Sequence, residues 1–470
     1  MKAQQISQFT LILLIISAID NIRNLPQIAL FGSTLIFFFA LSALFFLIPV
    51  ALVSAQLSSS SKEHGGIYHW TCLAFGPKIG LMAVWLQWIN TLVWFPSILS
   101  FIAATATYFF NPALASNKTY LVSVILAVFW AMTLINLAGI HRSASLATIF
   151  SVLGALIPIG LIIGFATLWT LSGKPLQIHF NLHNLFPVFS HGESLSSLTA
   201  LTAIMTSFLG VELATVHINE VKNPEKSFPR ALCISVLIIL ATMTLGSLGI
   251  ALVLPLDQIN LVDGVMQIFT LFSQTYHFTI LIPVIMLMII CGGLGGMISY
   301  IISPVKGILQ VAESGYLPSF FTVKNRYGVP KRLLITQAII VSLVCSAWGL
   351  MPSVNGSYWL LTDLSTELYI FMYVFMFLAA WRLRNTSRAP IDSFLIPGGM
   401  LGTGITCLLG LVGCAITLII GFIPPSNIDV GSNMHYFTIF SSGVILMIVP
   451  VLAFYAYKFF FPLEHVKKEL

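Results

Sequence analysis

The sequence predicts an all-α membrane protein of twelve transmembrane helices, a five-plus-five inverted repeat followed by two extra helices. Three observations predict it. Only 8% of the 470 residues are charged and 58% are hydrophobic, with a mean hydropathy of +0.97, whereas soluble domains carry about 25% charged residues. Twelve apolar runs are long enough to cross the ~30 Å of a bilayer core. Two of those runs, the first and the sixth, are interrupted near their midpoints by polar and helix-breaking residues.

The runs read as 8–31, 34–56, 79–110, 119–140, 145–172, 195–221, 229–254, 277–303, 333–351, 357–381, 398–424 and 436–461. With the N-terminus inside, eighteen of the basic residues fall in inner connections. Only Lys118 and Lys174 fall in outer ones, and Arg23 lies within the membrane. That asymmetry places both termini in the cytoplasm. The net charge of +6 follows topology and forms no basic patch with interleaved aromatics, so the bilayer is the expected partner and nucleic acid is not. Lys2 precedes an apolar run without a clear small-residue cleavage site, and a cleaved leader is not expected. The six cysteines form no CxxC and read as small buried core residues.

In chain order, the first span carries Ser17 to Pro26, SAIDNIRNLP. Asp20 would stand about 18 Å from Gln8 along a helix, close to mid-bilayer. Charge there costs at least about 2.5–3.5 kcal/mol, and Pro26 removes a backbone donor. Such backbone is tolerated where it lines a cavity inside the protein. Lys62 to Pro77 is too polar at its start to span and reads as an interfacial or re-entrant hairpin. The sixth span holds Thr206 to Glu212, TSFLGVE, at its midpoint, followed by His217 and Glu220. Lys222 to Arg230 is a turn-rich connector. Gly292 to Gly296, GGLGG, lacks a following lysine and reads as close helix packing, not a nucleotide loop. Ser303 to Arg332 contains Pro304 and a short amphipathic piece, Ile308–Glu313, expected to lie along the membrane surface. The two broken spans each open a five-helix half, and they run in opposite directions across the membrane. Hence the halves are 1–172 and 173–390 in inverted topology, with 391–470 holding spans eleven and twelve.

At a broken helix, unpaired N–H groups attract an anion and freed carbonyls attract a cation. An α-amino acid offers both charges. The N–H groups near Asn24 to Gln27 are candidates for its carboxylate. Carbonyls of Ile16 to Ile19, including Ala18 and Ile19, and of Ala203 to Phe208 are candidates for its ammonium. The competing reading is a proline kink filled by side chains. Asp20 and Arg23, three apart, either neutralise each other on one face or meet the substrate. Glu212 follows the Gly210 break with no basic residue nearby in its own helix. It is a proton carrier or substrate ligand, or else a protonated structural donor. His217 and Glu220 sit nearer the cytoplasmic end, with a structural or a proton-relay role.

In span ten, Asp363 and Glu367 are four apart, and Tyr369 and Tyr373 follow. Acids at such depth face the bundle. They join Asp20 and Glu212 in outnumbering Arg23, which points to proton handling or a cationic substrate group. The tyrosines close the site or belong to the core. No Walker motif, HExxH or nucleophile elbow is present. No cofactor, metal or enzymatic activity is expected, and transport would be driven by exchange or an ion gradient.

A resemblance adds to this reading. Ser207–Glu212 (SFLGVE), His217–Pro224 (HINEVKNP), Ser303–Gly307 (SPVKG), Ile396–Gly399 (IPGG), Glu63–Tyr68 (EHGGIY) and Phe422–Asn427 (FIPPSN) occur together. The combination resembles the bacterial glutamate/γ-aminobutyrate antiporters of the amino acid–polyamine–organocation superfamily, over nearly the whole chain. The resemblance implies the leucine-transporter-type fold and amino acid antiport by alternating access at the bacterial inner membrane. It further implies that Glu212 is the glutamate of the sixth-span break, that Tyr369 and Tyr373 line the site, and that Tyr300 fills an aromatic site position. The chain departs from that pattern in two places. The first break has Asp20 and Arg23 but no tyrosine before Pro26, and the sequence stops at Leu470 without the long tail that plugs the acid-resistance antiporter. Plug-type pH gating is therefore not expected. The sequence leaves two other functions open, a proton-coupled amino acid symporter and a non-transporting transceptor of the same fold. Substrate contacts are expected from spans three, eight and ten.

Overall fold

The computed structural model describes residues 7–60, 66–139, 144–187, 194–213, 215, 224–386 and 393–460. Among them every regular element is helical. Helix α1 (Gln8–Ile19) starts under a cap from Ser7, whose side chain accepts the Thr10 N–H. It stops at Asp20, where the backbone turns extended. A 3₁₀ turn at Ile22–Asn24 leads into the short α2 (Leu25–Ala29), with Pro26 in its first turn. Span two is α3 (Leu35–Ser42) and α4 (Ile48–Ser60), joined through a π turn at Ala43–Leu47. Then come α5 (Ile67–Phe75), α6 (Pro77–Thr107), α7 (Lys118–Leu137), α8 (Ala144–Leu171), α9 (Leu182–Leu185) and α10 (Ser194–Ser207). The chain continues as α11 (Pro224–Val253), α12 (Gly264–Tyr276), α13 (Ile282–Glu313), α14 (Lys331–Val344), α15 (Val354–Thr386), α16 (Gly399–Ile420) and α17 (Asn433–Phe460).

Eleven helical stretches among the described residues are long and apolar enough to cross a membrane. The expected sixth span is not one of them. Its helix α10 has only 14 residues and ends at Ser207, because the chain turns at Gly210 instead of continuing. Helix α6 is the most deeply enclosed. It is apolar around its whole circumference, as a helix surrounded by others must be, and its polar residues Asn90, Ser97, Ser100 and Thr105 are small and buried. Helices α13 and α15 pack on it, α8 packs on α13, α11 on α8 and α1, and α16 on α15.

Several expectations are corrected. Ile308–Glu313 does not lie separately along the surface. It is the end of the 32-residue α13, with Pro304 inside the helix. A proline costs one ladder bond, and the packing of Ile308, Val311 and Ala312 into the core outweighs it. The stretch between the seventh and eighth apolar runs contains α12, whose Val265, Ile268, Phe269 and Phe272 are all buried. Their 3–4 spacing was the readable signal. Lys62 to Pro77 yields the nine-residue α5, joined to α6 through Gly76. Of the cysteines, Cys345, Cys407 and Cys414 are buried, Cys72 and Cys291 are half-buried, and Cys233 is exposed on α11.

Candidate functional site

The first break is built by side chains that imitate the backbone. Asn21 has an extended backbone, and its side chain accepts the Arg23 N–H at 3.3 Å. The Asn24 N–H bonds the Asn21 carbonyl at 3.0 Å, and the Leu25 N–H bonds that of Ile22. The 3₁₀ turn thus consumes the Asn24 and Leu25 donors expected for a carboxylate, and Pro26 has none.

Asp20 and Arg23 do not pair. Residues three apart share a face only while the helix continues, and here the backbone is extended at both Asp20 and Asn21. One carboxyl oxygen of Asp20 accepts from the Thr242 hydroxyl on α11 at 2.8 Å. The Arg23 guanidinium turns the other way. It donates to Ser97 of α6 at 3.3 Å and to the Tyr358 hydroxyl of α15 at 3.1 Å, and lies 5.4 Å over the Trp94 ring. Arg23 is only 2% exposed, and every one of these partners is neutral. Asp20 Oδ1, Arg23 Nε and Asn24 Oδ1 are left with no hydrogen-bond partner.

The second break is closed by Glu212. Gly210 has φ +98°, a conformation that only glycine adopts without strain. Its N–H donates to the Tyr373 hydroxyl at 2.9 Å, and that hydroxyl donates in turn to Glu212 Oε2. Tyr369 donates to Oε1 at 2.5 Å, and Gln87 of α6 adds a long contact at 3.5 Å. The two tyrosine rings lie 5.2 Å apart, and Phe46 packs edge-on against Tyr373.

The two breaks touch. A methyl placed on Gly210 would come within 3.7 Å of the Ala18 carbonyl oxygen. That oxygen accepts from the Tyr300 hydroxyl of α13 at 2.9 Å. The Tyr300 ring lies 5.3 Å from Trp94, the ring beneath Arg23. Ala18, Gly210, Glu212, Tyr300, Tyr369, Tyr373 and Arg23 are therefore linked through one continuous set of contacts. Arg23 joins it on the first break's side, and the Glu212 carboxylate on the second's.

Other expected residues lie elsewhere. The Phe208 ring packs 5.9 Å from Phe39 of α3, and Ile19 is core. Asp363 accepts from Tyr436 of α17 at 2.6 Å. Glu367 faces Gly421 beyond α16, and neither of its oxygens has a hydrogen-bond partner. Glu367 thus points toward the end of α16, whereas Asp363 bonds α17 through one oxygen and also lines the junction with Gln27, Thr202 and Thr206. His217 and Glu220, with most of HINEVKNP and the start of EHGGIY, fall outside the described residues. Sequence reasoning missed Gln87, Trp94, Ser97, Thr242 and Tyr358. The readable signal was a polar residue inside a long apolar span, strongest in α6.

A family described as amino acid permease matches residues 6–449. An uncharacterized transporter of Legionella pneumophila is 38% identical, over 94% of both chains. A glutamate/gamma-aminobutyrate antiporter of Lactococcus lactis is 28% identical, over 97% of this chain and 91% of its own. A probable agmatine/putrescine antiporter of the same species is 22% identical, over 90% of this chain and 88% of its own.

Proposed function

The chain belongs to the amino acid permease family, a family of transporters and not of enzymes, and from that premise we propose that it is an amino acid antiporter working by alternating access. The substrate zwitterion binds where the breaks of the first and sixth spans meet, with contacts from α6, α13 and α15. The observation that supports this is the approach of Gly210 to the Ala18 carbonyl, because a shared site needs the two breaks side by side. Polar, irregular backbone at mid-membrane is tolerated where it is buried in protein or lines a cavity, and in transporters with broken helices such a place is where substrate binds. Glu212 is the substrate ligand or proton carrier there, with Asp20 as a second polar group. Asp363 and Glu367 are proton-coupling candidates at a distance, and His217 is a further one by sequence.

On this reading the broken sixth helix completes twelve spans, with 1–172 and 173–390 as inverted repeats and 391–470 holding the last two helices. The protein is multi-pass in a bacterial inner membrane with both termini cytoplasmic, as the lysine and arginine distribution supports. The relatives' names make glutamate, γ-aminobutyrate, agmatine and putrescine the first substrates to try.

Purified protein in liposomes preloaded with an amino acid tests the proposal. Uptake of labelled amino acid that requires unlabelled amino acid on the far side supports antiport. Uptake sustained by a proton gradient alone supports the second reading, proton symport, which the two unpartnered oxygens of Glu367 favour. No movement of any amino acid under either gradient overturns both.

A further inference from the structure

Helix α6 is enclosed by its neighbours, yet two of its residues stay partly open. From Ala83 to Thr105 every residue is buried except Gln87 and Trp94. They are seven apart, two turns on one face and about 10 Å along the helix axis. Gln87 reaches Glu212 at the second break, and the Trp94 ring lies over Arg23 at the first. Tyr300, whose ring neighbours Trp94, and Ala18, whose carbonyl accepts from the Tyr300 hydroxyl, are also only half-buried. The open face therefore has a carboxyl group at one end and a guanidinium at the other.

Arg23 is the end that lacks an answer. Its Nε has no partner, Ser97 and Tyr358 are neutral, and among the described residues no carboxylate pairs with it. The Trp94 ring offsets only part of the cost of burying a cation, so the guanidinium calls for an anion. The Asn24 and Leu25 N–H groups are consumed by the 3₁₀ turn, and a carboxylate arriving here meets the guanidinium instead of a helix end. Two parallel N–H donors suit that group. The substrate's ammonium belongs two turns away, beside Glu212. That separation is longer than the single carbon between the ammonium and carboxylate of an α-amino acid. We propose that Arg23 is the specificity residue of the site and binds a carboxylate carried several bonds from the substrate's ammonium. Such a group is the side-chain carboxylate of an acidic amino acid or the carboxylate of an ω-amino acid. The inference rests on the reading that substrate binds where the breaks meet, and entry takes rotation of the Trp94 ring off the guanidinium.

Ligand-induced thermal stabilisation of the purified full-length protein tests the assignment. Glutamate and γ-aminobutyrate each hold a carboxylate remote from the ammonium, and at least one of them should raise the Tm saturably. Alanine and putrescine lack such a group and should need about ten times the concentration or more. Arg23→Met should raise the half-saturating concentration of the stabilising carboxylate about tenfold, equivalent to about 1.4 kcal/mol, and leave that of alanine within about twofold. Arg23→Lys keeps the charge but loses the fork. Its half-saturation should fall between parent and Arg23→Met, and it keeps the test open if Arg23→Met fails to fold. Stabilisation of the parent by alanine or putrescine as strong as by the remote carboxylates, or by none of the four, overturns the inference. So does parental half-saturation in Arg23→Met or, if that variant is lost, in Arg23→Lys. A rise with chloride or phosphate alone marks an inorganic anion at Arg23 and overturns it too. Exchange in liposomes is read separately: if it persists without the carboxylate preference, only this inference falls, whereas no movement of any amino acid removes the transport reading itself.

Discussion

The two helix breaks solve the same problem in opposite ways. At the second, every strong polar group is answered: Glu212 receives two tyrosine hydroxyls and Gln87, and the Gly210 N–H goes to Tyr373. At the first, Arg23 has only neutral partners, and Asp20, Arg23 and Asn24 each keep an unpartnered atom. A buried charge without a counter-charge is costly. The contrast teaches that the second break is a preorganised clamp, whereas the first keeps open valences that a ligand can complete.

The comparison breaks most readily at Glu212. Glu212→Gln keeps the volume but replaces one of the two oxygens that the tyrosines serve with an amide donor. A broken buried hydrogen bond that leaves its partners unsatisfied costs about 1–3 kcal/mol, so exchange in liposomes should fall about 100-fold. Near-parental exchange would make the clamp a mere scaffold. Next is Gly210→Ala. The added methyl meets Leu213 at 3.4 Å, which is tolerable, but φ +98° is not. A strained backbone costs on the order of 1–3 kcal/mol, so the melting temperature of the purified protein should drop and exchange with it.

Arg23→Met sharpens the other side. Removing a buried cation that has no anionic partner should leave the melting temperature unchanged or higher, while exchange falls about tenfold. A large loss of stability instead would make Arg23 structural and erase the difference between the breaks.

The smallest effect concerns access to the first break alone. Helix α12 lies against α2, where a methyl on Gly264 would come 2.9 Å from Pro26 Cβ. Its leading residue Asp263 accepts from the Tyr108 hydroxyl at 2.8 Å. Burial pushes the Asp263 carboxyl above its ordinary 3.8, with the Tyr108 bond partly opposing. The docked helix therefore holds the proton more tightly than the undocked one. Docking is strongest below the ordinary carboxyl value and weakens as pH rises through the raised one. Protection of 264–276 against hydrogen exchange, measured relative to the intrinsic amide rate at each pH, should fall a few-fold as pH rises through the raised carboxyl range, and Asp263→Asn should flatten that dependence.

Much of the fold was legible because the bilayer imposes it. Apolar length marks the helices, and the polar interruptions Ser17–Pro26 and Thr206–Glu212 mark both ends of the site. Helix α12 escaped that reading because its apolar residues were judged against span length and not against their 3–4 spacing. Part of the candidate site's geometry was legible as well. Glu212, Tyr300, Tyr369 and Tyr373 do converge, while Asp363 and Glu367 do not, although they share the helix of the two tyrosines. One helix presents different faces to different neighbours, and sequence spacing alone does not say which neighbour lies where.

By itself, then, the sequence determined that helices cross a membrane and where two of them break, because charge and proline at that depth are too costly to be accidental. Only the tertiary structure decided the partners. Asp20 and Arg23 look like a pair at three-residue spacing, yet the extended backbone between them sends one to Thr242 and the other to Ser97, Tyr358 and Trp94. Partnership is a matter of direction, and direction at a break is set by the helices packed around it.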